Sequence, residues 1–130
     1  TEDLLPALDK LLERSDVLLT LPDPVASSPT TARSILLSSY RMRRPVFAYS
    51  RAYVEAGALA AVFSSPDDIA RDLGDVLRAW PADLRPVMLP EARGPAIFEI
   101  AVNRQVARSL NLTIADDDTL LARLRAETTR

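Results

Sequence analysis

The hydrophobic positions of this chain fall into two alternating rhythms. Leu4, Leu5, Leu8, Leu11 and Leu12 recur at the spacing of a single helical stripe and predict a helix over Glu2–Ser15. Pro6 falls in its first turn, where a missing N–H does little harm. Val17–Leu21 (VLLTL) follows as an apolar run between polar and proline positions, the pattern of a short strand. Leu21-Pro22-Asp23-Pro24 is then a rigid turn, because each proline fixes its own φ and restricts its predecessor. Ser28 ahead of Pro29 matches a helix N-cap with proline at the first helical position. That helix is expected to run to about Arg43, with Ile35, Leu36, Ser39, Tyr40 and Met42 turned inward.

The stretch Arg44–Ser65 organises the rest. Pro45–Tyr49 reads as a strand covered on both faces, since Val46, Phe47, Ala48 and Tyr49 are continuously apolar. Polar residues break in at Ser50 and Arg51, and Arg51–Ala56 has room for only a turn or two of helix before Gly57 ends it. Ala58–Phe63 is apolar again. Ser65-Pro66-Asp67-Asp68 is a strong helix start, with a cap, a proline and carboxylates in the first turn. Ile69, Leu73, Val76, Leu77 and Trp80 lie on one face of that helix. Prolines 81, 86, 90 and 95 keep the next stretch largely extended and irregular, with Val87–Leu89 as a short strand inside it. Ala96–Val102 is a strand, Asn103–Leu110 a short helix capped by Asn103, and Asp116–Glu127 a terminal helix.

The predicted order is α-β-α-β-α-β-α-β-α-α. Strands alternating with helices imply βαβ units, right-handed crossovers and a mostly parallel sheet between helical layers, that is, a three-layer α/β fold. With 130 residues the expected organisation is one α/β domain over 1–130.

Composition narrows the chemistry. Sixteen Lys and Arg against 18 Asp and Glu leave a net charge of −2, so no general attraction to nucleic acid is expected. The basic trio Arg41, Arg43 and Arg44 closes a helix, where it complements the dipole; no aromatic residues interleave it as a nucleic-acid surface would require. The chain has no Cys and no His. Disulfides, thiolate nucleophiles and Ser-His-Asp triads are thereby excluded, as are the commonest metal ligands. Its three glycines form neither a phosphate loop nor a dinucleotide fingerprint. Asp116-Asp117-Asp118 lacks the alternating oxygens and terminal Glu of a calcium loop and reads as helix-start chemistry. No catalytic residue, metal or cofactor is expected.

What remains is a pair of polar turns after buried strands, the place where open parallel sheets hold ligands. Asp23, Ser27 and Ser28 follow the first strand; Tyr49, Ser50, Arg51, Tyr53 and Glu55 follow the second. Their hydroxyls, carboxylates and cation suit a small polar or zwitterionic ligand. For Ser28 and Ser50 helix capping is the favoured reading, and for Tyr49 half-buried packing is an equal one.

Four segments carry a resemblance to a family: VLLTLPDP (Val17–Pro24), RPVFAYS (Arg44–Ser50), EAGALAAVFSSPDDIARDLGDVL (Glu55–Leu77) and IFEIAVNRQVARSLNL (Ile97–Leu112). Together they resemble, in order, the C-terminal portion of the ABC-transporter substrate-binding proteins of the tryptophan/tyrosine-uptake type. That resemblance implies a periplasmic-binding-protein-like lobe, and cleft loops at Pro22, Asp23, Ser27 and Ser28 and at Tyr49, Ser50 and Tyr53. In such proteins the ligand lies between two lobes, and a counterpart of the first is missing here. The final strand and helices, 96–130, would pack with that lobe, on this sheet, or on another chain.

The expected function is therefore the solute-binding component of an ABC-type importer, taking a small polar or amino-acid-like ligand without catalysis. Its partners would be the ligand and a membrane permease, with no nucleic acid. Its place would be the periplasm, free or lipid-anchored on the outer face of the inner membrane. The alternative is a one-lobed interaction domain that dimerises or docks on a partner.

Overall fold

The computed structural model describes residues 4–79 and 94–128. The element order is α1 (Leu4–Glu13), β1 (Leu18–Leu19), α2 (Pro29–Arg41), β2 (Val46–Ala48), α3 (Arg51–Glu55), β3 (Ala60–Phe63), α4 (Pro66–Ala79), β4 (Glu99–Val102), α5 (Arg104–Ser109) and α6 (Asp117–Thr128). This is the α/β alternation expected from the pattern. The four strands form one sheet in the order β1-β2-β3-β4. β1 with β2 and β2 with β3 are parallel, with Leu18 opposite Val46, Leu19 opposite Phe47 and Ala48 opposite Ala61. Two compact units make up the chain: Thr1–Phe63 with Ile100–Arg130, and Ser64–Glu99.

In the first unit the core takes only part of the predicted stripes: Leu5 and Leu11 of α1 are exposed. Leu8 and Leu12 of α1, Ile35 and Leu36 of α2, Tyr53 and Val54 of α3 close over Leu18, Val46, Ala48, Ala61 and Ala101 of the sheet. Arg44 ties α1 down: its Nε donates to the Leu12 carbonyl at 3.2 Å and its Nη1 pairs with Asp16. Asn103 caps α5 through Gln105 and Val106. Its Nδ2 also donates to the Val54 carbonyl and its backbone N–H to Leu59, so the cap holds α5 against α3 and β3.

Several boundaries differ from the pattern. β1 covers only Leu18–Leu19, with Val17 and Leu21 exposed outside it, although the Thr20 N–H still donates to the Phe47 carbonyl. β2 is buried on alternate residues: Val46 and Ala48 are inside, whereas Phe47 is 40% exposed. Leu19 (65%) is its register partner, and Val62 (48%) lies on the same face of β3. α2 ends at Arg41, and Arg43 takes a left-handed φ of 56° that no helix continues through. Ile35, Leu36 and Ser39 are buried as expected, but Tyr40 is 51% exposed. α5 ends at Ser109, and Asn111 adopts the positive φ common after a helix.

The second unit is built on α4. Ser65 and Asp68 cap reciprocally: Asp68 N–H donates to Ser65 Oγ, while Ser65 N–H and O–H donate to Asp68 Oδ2. That hydroxyl and N–H hold the Asp68 carboxyl below its usual range. Ser64 Oγ donates to the Ile97 carbonyl at 2.7 Å, and Asp72 accepts from Ala96 N–H. Ile69, Leu73 and Leu77 form the expected stripe and are exposed. Trp80 and the Val87–Leu89 strand lie outside the described residues.

Candidate functional site

The loops after β1 and β2 meet. Both follow the carboxyl ends of parallel strands, so they emerge on the same edge of the sheet. Two tyrosines join them. Tyr49 donates its hydroxyl to Ser27 Oγ at 2.5 Å, and Tyr53 donates to the Ala26 carbonyl at 3.3 Å. Their rings pack on each other, centroids 5.6 Å apart and inclined by 57°. Burial pushes the Tyr53 phenol above its usual range, and neighbouring Tyr49 adds to the shift.

Each loop is held by its own polar residues. Asp23 Oδ1 accepts from Val25 N–H (2.8 Å) and Ala26 N–H (2.9 Å), while Ser27 Oγ accepts from Asp23 N–H. This is the Asx-turn logic that lets a short carboxylate shape its own loop. Ser28 caps α2: it accepts from Thr31 N–H and donates to Thr31 Oγ1. Ser50 caps α3 by accepting from Tyr53 N–H. Capping and site geometry thus coincide at Ser50, since the cap fixes where Tyr53 starts its turn. Arg51 lies over the Phe63 ring, 5.3 Å from its centroid.

Ser27, Tyr49, Ser50 and Tyr53 border a groove of about 690 Å³ between α2 and α3. Of the seven residues singled out from the sequence, these four line it. Pro22, Asp23 and Ser28 are outside the lining; Asp23 shapes the first loop and Ser28 caps α2. Glu55, also a candidate, is exposed and outside the lining. The far wall is α2, through Pro29, Ala32, Arg33, Leu36, Leu37 and Tyr40. Ala52, Ala56, Gly57 and Val106 complete the lining. Gly57 has φ 128°, a conformation that L side chains rarely adopt, and it turns the chain from α3 into β3.

Arg33, Leu37 and Tyr40 were not among the sequence candidates. A signal for them exists: Pro29, Arg33, Leu36 or Leu37, and Tyr40 recur at three- and four-residue steps, one helix face. That face competes with the inward stripe of Ile35, Leu36 and Ser39, and periodicity alone assigns Tyr40 to the core.

At the chain's C-terminal end, Asp116 caps α6 by accepting from the backbone N–H and hydroxyl of Thr119, which hold its carboxyl below the usual range. Asp117 pairs with Arg104. Among the described residues no three His, Cys, Asp or Glu side chains gather to hold a metal ion.

No protein-family model matches the chain, and no curated protein matches it. Solved structures do. A conserved domain protein from Vibrio cholerae is 25% identical, with a TM-score of 0.61 over 94% of this chain and 40% of its own. An ABC domain in complex with L-Trp from Streptococcus pneumonia is 18% identical, with a TM-score of 0.62 over 93% of this chain and 39% of its own. This chain therefore spans about two fifths of the length of these structures and is similar to them in fold: an α/β, binding-protein-like architecture.

Proposed function

We propose that the chain is a solute-binding lobe of an ABC-type importer, taking a small ligand at the groove beside Tyr49 and Tyr53 without catalysis. One observation carries the reading: the polar loops after two adjacent parallel strands are hydrogen-bonded to each other through Tyr49 and Tyr53 beside a mostly apolar groove. Its volume falls within the range of small-molecule sites, roughly 300 to 1,000 Å³. The fold shared with a domain that holds L-Trp supports it further. So does the lining, whose polar groups are hydroxyls and one guanidinium, suited to orienting a ligand rather than to moving protons near neutral pH. A binding lobe of this kind works with a second lobe that supplies the opposite wall and with a membrane permease, and it operates in the periplasm, free or lipid-anchored.

Thermal-shift and calorimetric screening with aromatic and branched amino acids tests the reading. Binding that weakens in Tyr40→Ala and Tyr49→Phe, both with unchanged far-UV circular dichroism, is the expected result. No response to any ligand would sink it. A second reading, a one-lobed domain that associates with a second copy of itself, draws on the exposed apolar face formed by Leu19, Phe47 and Val62.

A further inference from the structure

Arg33 is the one charged side chain among those that line the groove. It is exposed and makes no ion pair among the described residues. Its neighbours in the lining form an ordered row. Pro29, Arg33, Leu36, Leu37 and Tyr40 follow one another along one face of α2. Arg33 sits toward the amino end of that helix, on the side of the Ser28 cap. Tyr40 lies two turns further along, about 10 Å down the axis. Two leucines fill the space between them. This wall of the groove therefore presents, in order, a cation, an aliphatic surface and an aromatic ring.

We infer that Arg33 is the specificity-determining residue of the groove, pairing with the carboxylate of a ligand whose ring lies on Leu37 and Tyr40. The inference rests on the reading of the groove as a solute site and assigns one end of the ligand to one side chain. A guanidinium offers a planar fork of donors that matches the two oxygens of a carboxylate. Engaging it breaks no ion pair among the described residues. The apolar residues beside it exclude water once a ligand covers them, which strengthens the attraction. Leu37 and Tyr40 are 48% and 51% exposed, so a ring laid on them buries apolar surface. An aromatic α-amino acid carries both groups on one short chain, and its ammonium is left to the opposite wall.

L-tryptophan and L-tryptophanamide share a ring and an ammonium and differ in the carboxylate, which the amide replaces with a neutral group. Both are titrated calorimetrically into the full chain and its variants. L-tryptophan should bind about ten-fold more tightly than the amide. Arg33→Gln should remove that margin, with about ten-fold lost for L-tryptophan and almost nothing for the amide. Arg33→Lys keeps the charge without the fork and should restore part of the margin. Tyr40→Ala should weaken both ligands alike, since the ring is common to them. Arg33 is exposed, so its variants should keep the parental melting temperature. Equal binding of the two ligands by the parental chain, or an Arg33→Gln variant that keeps the margin, would overturn the inference. If L-tryptophan binding still falls in Tyr40→Ala, the solute-site reading survives without it. Silence from both ligands and from the amino-acid panel would overturn both.

Discussion

Ser39 is fully buried in α2 and its hydroxyl has no hydrogen-bond partner among the described residues. A hydroxyl taken out of water without a partner destabilises the fold by about 1 to 2 kcal/mol. Ser39→Ala removes the hydroxyl, improves helix propensity and leaves little void. It should raise the melting temperature by several degrees in a calorimetric scan. An unchanged or lower melting temperature would show that the hydroxyl is satisfied. Tyr53 is the opposite case, a buried polar group with a partner. Its phenol is pushed above 10.0 by burial and by Tyr49. A folded pKa above the unfolded one gives stabilisation that is complete below about pH 10 and lost as pH rises from there through the folded value. Tyr53→Phe should cost about 1 kcal/mol near neutrality, through the lost bond to Ala26. It should also abolish that part of the alkaline loss, as thermal melts at neutral and alkaline pH would show.

At the scale of elements, short helices depend on their ends. α3 has five residues, too few to persist alone. It is held by the Ser50 cap at one end, the Gly57 turn at the other, and the burial of Tyr53 and Val54 between them. A Cβ at Gly57 would meet only Leu36 Cδ1, at 4.0 Å, so space is not the constraint; the φ of 128° is. Gly57→Ala should therefore destabilise by about 1 to 3 kcal/mol through backbone strain. Because the same turn closes one end of the groove, ligand affinity should fall with it. Denaturant unfolding measured beside binding checks both effects, and a stable variant would refute the strained geometry.

At the scale of the molecule, one face of the sheet is closed by α1, α2 and α3, while Leu19, Phe47 and Val62 are exposed on the other. Exposed apolar side chains in adjacent strands are the usual mark of a surface that meets something. If two copies associate through this face, sedimentation velocity should show a concentration-dependent dimer. Phe47→Asp should then shift it to monomer with little loss of stability, since Phe47 is already 40% exposed. A monomer at all concentrations would eliminate the self-association reading.

The element order and the parallel α/β class were legible in the sequence, because they rest on local rules: helical stripes, β-type runs, and Ser28, Ser50, Ser65 and Asn103 as caps. These signals act over a few residues and need no knowledge of neighbours. The two polar turns were legible for the same reason, as strand ends followed by polar residues. The groove itself was not. Tyr49 and Ser27 are 22 residues apart, and only strand pairing decides that their loops meet. Whether Tyr40 faces the core or the groove depends on where α3 packs against α2, since both faces of α2 satisfy the helical period. Phe47 shows the same limit: an apolar run records what a strand can bury, and the tertiary structure decides which face is covered.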